Sequence, residues 1–213
     1  MITTPLVNGL DLVATFAFAL VGARVAAAKG LDYGGILLIS AVSSLTGGTF
    51  RNVFLGQRPP WILHAWLFAA VLLAFVVTVI AKNVKPVGRF MLSLDTFGLA
   101  VATASSANYA ISYGAGFVGA LVLAVLGAVL GGLLRDLFCQ VEPVLLHRET
   151  IGTSCFAGAL LYLTLQHFDF STLICAFSSG VVVILVRELS IHFDWDLPKL
   201  IHERHELHER HEL

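Results

Sequence analysis

Charge is what this 213-residue chain has least of: Lys, Arg, Asp and Glu make up 13% of it, against roughly 25% in ordinary globular domains. That shortage excludes a soluble domain with a solvated surface. The formal net charge of −1 supplies no basic face for nucleic acid. Cysteine is scarce too. Cys139, Cys155 and Cys175 have neither a disulfide framework nor metal-ligand spacing, and each lies in or beside an apolar stretch, where a free thiol behaves as a small buried hydrophobe. No nucleotide-binding loop, metal-protease helix or nucleophile triad is present, so neither an enzyme nor a bound cofactor is expected. The opening "MITTPLVNGL" lacks the basic n-region of a signal peptide, so the first apolar run is expected to stay as a helix.

What the chain has in abundance is hydrocarbon. Hydrophobic residues make up 57% of it and its mean hydropathy is +0.86. Apolar runs cover residues 6–28, 33–55, 61–81, 90–108, 114–138, 151–166 and 172–191, most near the roughly 20 residues a spanning helix needs. The runs are continuous rather than alternating, and backbone groups in lipid must be satisfied within the segment. The expected fold is an all-α integral membrane protein with seven transmembrane helices, one domain over residues 1–200, surrounded by membrane lipid. On the side that holds the N-terminus the only basic residues are Arg51 and Arg58. The other side collects Arg24, Lys29, Lys82, Lys85, Arg89, Arg135, Arg148, Arg187 and Lys199. The positive-inside rule therefore predicts an outer N-terminus and a cytoplasmic C-terminus in the cell membrane of a prokaryote. The tail, residues 201–213, carries "HERHEL" twice. It reads as a solvated cytoplasmic extension, with a metal-binding histidine stripe as the alternative.

A second repeat runs through the apolar part. "GGTFRNVFLGQRPP" begins at Gly47 and "GGLLRDLFCQVEP" at Gly131, 84 positions later. The same offset joins Gly48 to Gly132, Arg51 to Arg135, Phe54 to Phe138 and Pro59 to Pro143. It also joins Leu10–Asp11 to Leu94–Asp95, Gly30 to Gly114 and Gly35 to Gly119, with no gap. Chance matches single Gly or Leu positions; it does not match paired Gly, Arg, Asp and Pro at one offset. The chain is read as a duplicated three-span unit, about 5–83 and 89–167, with a seventh span at 172–191. An odd number of spans sends the second copy into the membrane from the opposite side. Transport proteins use such inverted repeats to build a site near the midplane.

The middle span of each unit carries the glycine pair, Gly47–Gly48 and Gly131–Gly132. Glycine weakens a helix by about 1 kcal/mol relative to alanine, so one reading is a kink or break that lines a watery pathway. The other is close helix packing, since small residues let backbones approach. An arginine follows each pair. An Arg at the centre of a spanning helix costs about 2.5–3.5 kcal/mol on insertion scales. Asp11 and Arg51 fall at similar depth near the outer mouth, and Asp95 and Arg135 near the cytoplasmic mouth, so one Asp–Arg pair per repeat is expected. Asp136 stands where the first copy has Asn52 and adds a carboxylate at the cytoplasmic end alone. Hydroxyls cluster in "SAVSSLTGG", with Ser44 and Thr46, and in "TASSANY", with Ser105 and Ser106. They either replace part of an ion's hydration shell or bond back to their own helix carbonyls. Trp61 and Trp66 read as interfacial aromatics with His64 between them, the glycine series from Gly114 to Gly132 as packing in the fifth span or an oligomer interface, and Arg187 with Glu188 as a local pair or a span boundary.

The two copies of Gly-Gly-x-x-Arg followed by Pro, at Gly47, Gly48, Arg51 and Pro59 and at Gly131, Gly132, Arg135 and Pro143, resemble the prokaryotic members of the TRIC family, the trimeric intracellular cation channels. The resemblance covers residues 5–195. It implies a homotrimer in which each subunit has its own pore, lined by kinked second and fifth helices and passing monovalent cations, chiefly potassium, with sodium as a second permeant ion. An unpaired arginine near such a pore would repel potassium, by about 4 kcal/mol at 4 Å for an effective dielectric near 20. Asp11 and Asp95 are expected to neutralise it. By physics alone, an inverted repeat fits a secondary transporter for a small neutral solute such as glycine as well as it fits a channel, and a purely structural membrane protein is the third reading.

Overall fold

The computed structural model describes residues 5–81, 88–141 and 150–193. Pro143, the polar loop His147–Arg148–Glu149, the basic residues Lys82, Lys85 and Lys199, and the tail lie outside the described residues. The described chain is helical throughout: α1 (Pro5–Ala28), α2 (Tyr33–Phe54), α3 (Pro60–Leu63), α4 (Trp66–Ile80), α5 (Arg89–Ser112), α6 (Phe117–Phe138), α7 (Thr150–His167) and α8 (Thr172–His192). Five of them, α1, α2, α5, α6 and α8, are long and apolar enough to cross a membrane.

Two boundaries differ from the sequence expectation. The run at 61–81 is two helices. Pro60 sits at the start of α3, where its missing N–H costs nothing. The chain then leaves helical geometry at His64, φ −130° and ψ 91°, and restarts at Trp66. The His64 ring stacks on Trp66 at 5.3 Å, and the Trp61 indole N–H donates to Thr49 Oγ1 at 3.0 Å, tying α3 back onto α2. Gly114 and Gly116 precede α6 instead of packing within it. Gly114 takes φ +81° in the turn, and Gly116 is the N-cap.

The 84-residue offset reappears in the backbone. Gly30 and Gly114 both take positive φ, 76° and 81°, as do Gly56 and Gln140, 67° and 49°. The N-cap of α2 is Asp32 and that of α6 is Gly116, again one offset apart. Helix neighbours follow the same rule. α1 packs on α2 and α4 as α5 packs on α6 and α7, while α2 meets α4 as α6 meets α7. The two halves join through α1 against α5 and α2 against α6. α8 packs on α5 and α7 and has no counterpart.

The interior is built largely of alanine. Ala19, Ala23, Ala26, Ala74, Ala107, Ala110, Ala120, Ala124 and Ala159 are all fully buried. In hydrocarbon, helices gain little from hiding apolar area and associate through van der Waals contact, so small side chains that bring backbones together carry the packing. The large apolar side chains point outward instead, including Leu72, Leu73 and Ile80 on α4 and Leu173, Phe177 and Leu185 on α8. Cys139, Cys155 and Cys175 are free and buried.

Candidate functional site

The centre of the molecule is the crossing of α2 and α6. A Cβ placed on Gly47 would fall on the carbonyl oxygen of Gly127, and one placed on Gly131 would fall on the carbonyl oxygen of Ser43. These are one contact seen twice, because Ser43 and Gly127 are themselves 84 residues apart. The register is also antiparallel: moving from 43 to 47 along α2 moves from 131 to 127 along α6. Both helices stay helical through their glycine pairs. Within each pair the two glycines differ. Gly47 and Gly131 hold the backbones in contact, whereas a Cβ on Gly48 would meet only the Pro60 ring at 3.5 Å, and one on Gly132 only Arg135 Nη2 at 3.7 Å.

One turn beyond each contact glycine stands an arginine, and the antiparallel register puts them at opposite ends of the crossing. At 1.5 Å per residue they are at most about 18 Å apart along the helix axis. Arg51 is 1% exposed. Its Nη2 donates to Asp11 Oδ2 at 3.0 Å and its Nη1 to Asp11 Oδ1 at 3.3 Å. Nε donates to Asn52 Oδ1 at 3.0 Å, and Nη1 also reaches Ser105 Oγ at 3.3 Å. The guanidinium carbon lies 4.1 Å from the centre of the Tyr109 ring, a cation–π contact whose value rises with desolvation. The Ser105 hydroxyl donates in turn to Asp11 Oδ1. Asn52 Nδ2 donates to Tyr109 Oη at 3.0 Å and to the Arg58 carbonyl at 2.8 Å.

The second cluster has the same core and different surroundings. Arg135 Nη1 donates to Asp95 Oδ1 and its Nε to Asp136 Oδ1, both at 2.8 Å. Arg187, on α8, is 2% exposed and reaches the other oxygen of Asp95 with Nη2 at 3.4 Å. Arg187 therefore pairs with Asp95 and, among the described residues, not with exposed Glu188. Among the described residues each cluster is neutral, one Asp with one Arg at the first end and two of each at the second. Neutrality is what makes such burial tolerable, because a lone buried charge is far costlier than a paired one.

Most hydroxyls near the crossing bond to their own helix. Ser44 donates to Ser40 O, Thr46 to Val42 O, Thr49 to Leu45 O and Thr103 to Leu99 O. Ser105 instead serves the first ion pair. Ser43 is 1% exposed and its Oγ has no hydrogen-bond partner among the described residues.

Beside the crossing lies a cavity of about 40 Å³, room for about three waters at roughly 10–15 Å³ each. Its polar lining comes from Asp11, Thr15, Ser43, Ser44, Arg51 and Ser106; Gly47, Gly48 and Gly131 also line it, and apolar side chains such as Phe18, Trp61 and Leu67 make up much of the rest. Seven residues singled out from sequence thus converge on one space: Asp11, Ser44, Gly47, Gly48, Arg51, Ser106 and Gly131. Thr46, Ser105, Gly132, Asp95, Arg135 and Asp136 lie off its lining. Gly127, read from sequence as a packing glycine, is the backbone that Gly47 touches; sequence reasoning did not single out Ser43, although its 84-residue spacing from Gly127 marks it. It also missed Tyr109, Asn52 and Arg187 as partners of the charges. A spanning arginine without a counterpart in the other copy was the available signal for Arg187.

The fold and the two neutralised clusters define a polytopic helical membrane protein built around a duplicated motif. The family model described as "Glycine transporter" matches the chain twice, at residues 8–83 and 92–167, in the register of the 84-residue offset. The UPF0126 inner membrane protein YadS of Escherichia coli K12 is 30% identical over 91% of this chain and 95% of its own length. The crystal structure of the trimeric intracellular cation channel orthologue from Rhodobacter sphaeroides superposes with a TM-score of 0.83. It is 30% identical and covers 90% of this chain and 100% of that one. A structure from work on conductance through TRIC cation channels gives a TM-score of 0.81 at 27% identity, covering 92% of this chain and 98% of that one. The chain belongs to the prokaryotic TRIC family, and it matches the "Glycine transporter" family model and the UPF0126 relatives as well.

Proposed function

We propose that this protein is a passive channel for monovalent cations, chiefly potassium, with a pore inside each subunit of a homotrimer in a prokaryotic cell membrane. The observation that carries this reading is the antiparallel α2–α6 crossing, with a partly polar cavity at its side and a neutralised arginine at each end. In the proposed topology, α3 and α4 together make the third of seven spans. Residues 5–83 and 89–167 are then inverted three-helix repeats, α8 is the added seventh helix, the N-terminus is outside and the C-terminus is cytoplasmic. Asp11–Arg51 then sits toward the outer mouth and Asp95–Arg135 toward the cytoplasmic one. The cation meets carbonyl and hydroxyl oxygen at the crossing and no net positive charge at either end, so the arginines shape the pathway without closing it electrostatically. Gly47 and Gly131 let the two backbones meet beside it. The relatives named for cation channels support this reading, and the spare hydroxyl of Ser43 at the cavity wall supplies an oxygen not committed to the protein.

The family description "Glycine transporter" favours a second reading, a carrier for a small neutral solute at the same crossing. Liposomes containing the purified protein separate the two. The channel reading expects a potassium diffusion potential to collapse at a rate linear in potassium concentration, with no glycine accumulation. Saturable glycine uptake without potassium conductance would replace it with the carrier.

A further inference from the structure

Opening the two ion pairs has different consequences, and the difference comes from a residue outside the duplicated motif. At the first end, among the described residues, Arg51 pairs with the carboxylate of Asp11 alone and Asp11 with the guanidinium of Arg51 alone. Separating them strands two largely buried charges, the most destabilising way to disrupt such a pair. Asn52, Ser105 and the Tyr109 ring hold Arg51 further. The 84-residue counterparts of Ser105 and Tyr109 are Val21 and Val25, so the second end has no matching hydroxyl or ring. It has two extra charges instead. If the Arg135–Asp95 bond opens, Arg135 keeps Asp136 through Nε, and Asp95 keeps Arg187 through its other oxygen. Neither charge is stranded.

We propose that Arg187 is a positioning residue that makes the Asp95–Arg135 end the moving gate. It holds Asp95 of α5 against α8 while Arg135 swings away with Asp136, and the Asp11–Arg51 end stays fixed. The proposal rests on the pathway reading above, since a gate requires a path. It also gives the unduplicated helix a part in the motion. Because α8 carries large exposed apolar side chains at Phe177 and Leu185, a displacement of α8 in its surroundings reaches Asp95 directly through Arg187.

The test reads motion without requiring current. Gly132→Cys places a thiol beside the Arg135 guanidinium, and Gly48→Cys occupies the equivalent position at the other end. Both sites accept a Cβ at ordinary contact distance. The full-length protein in proteoliposomes is labelled with a charged, water-soluble methanethiosulfonate reagent, and the wild-type chain with its three buried cysteines gives the background. Gly132→Cys is expected to react faster than Gly48→Cys. Adding Arg187→Gln should slow Gly132→Cys at least about tenfold, because opening would then strand Asp95. Arg187→Lys should restore the rate, and Gly48→Cys should be indifferent to both. Unfolding accelerates labelling, so it cannot mimic the expected slowing. Equal or faster labelling of Gly132→Cys in the Arg187→Gln background, or equal slowing at Gly48→Cys, overturns the proposal. A protein that passes no potassium but shows the expected labelling pattern overturns the channel function and leaves the moving end in place.

Discussion

An alanine at position 47 would put its methyl group onto the carbonyl oxygen of Gly127, and one at position 131 would do the same to Ser43. In both cases the obstructing atom is backbone, so no rotamer change relieves it, and α2 and α6 must move apart along their whole contact. Overpacking in a tight interior costs about 1–3 kcal/mol, and backbone on both sides points to the upper part of that range. Against this stands a gain of about 1 kcal/mol from helix propensity. The net expectation is a loss of about 2 kcal/mol for Gly47→Ala or Gly131→Ala. At about 2–4 °C per kcal/mol for a chain of this size, the apparent Tm falls by about 4–8 °C. Gly48→Ala and Gly132→Ala keep the propensity gain and meet only ordinary contacts, so their Tm should hold or rise by about 2–4 °C. Thermal unfolding of the detergent-solubilised protein, followed by size-exclusion chromatography, gives all four values. Equal losses within each pair would refute the division of labour and favour a hinge that uses both glycines alike.

Three other expectations follow from the same geometry. Asp11→Asn strands Arg51 and should cost about 3–5 kcal/mol, with Asp11→Asn/Arg51→Gln recovering more than half of it in the same melting assay. Tyr109→Phe keeps the ring over Arg51 and loses only the hydroxyl that accepts from Asn52, a loss of about 1 kcal/mol, whereas Tyr109→Leu also removes the cation–π contact and should cost clearly more. Ser43→Ala gives up no hydrogen bond among the described residues and should leave stability within about 0.5 kcal/mol. Its unitary potassium conductance should nonetheless fall, and an unchanged conductance would take the Ser43 hydroxyl off the ion's path.

The repeat made much of this arrangement legible before any coordinates. Glycine, arginine and aspartate recurring at one offset mark positions where the backbone or a buried charge allows little else. Hydropathy placed most helix ends within a few residues. It failed at residues 61–81 because an apolar run carries no mark of a break between His64 and Ala65; only Pro60 hinted that a short helix starts there. The partners of the charges were harder. Asp95 and Arg187 meet across 92 positions, on a helix with no second copy to compare. Ser105 and Ser44 have the same chemistry, and only the fold decides that one reaches Asp11 while the other bonds back to Ser40. Glycine pairs are ambiguous for a similar reason: sequence cannot separate the member that touches another backbone from the one that faces space.

Recording the reconstituted wild-type protein in a planar bilayer under a tenfold potassium chloride gradient addresses the proposed function most directly. Discrete unitary currents should appear and reverse at a potential approaching about 59 mV in the sense set by potassium, the limit for a tenfold gradient of a singly charged ion. A silent bilayer, or currents that reverse at zero or on the chloride side, would show that the α2–α6 crossing is not a cation pathway.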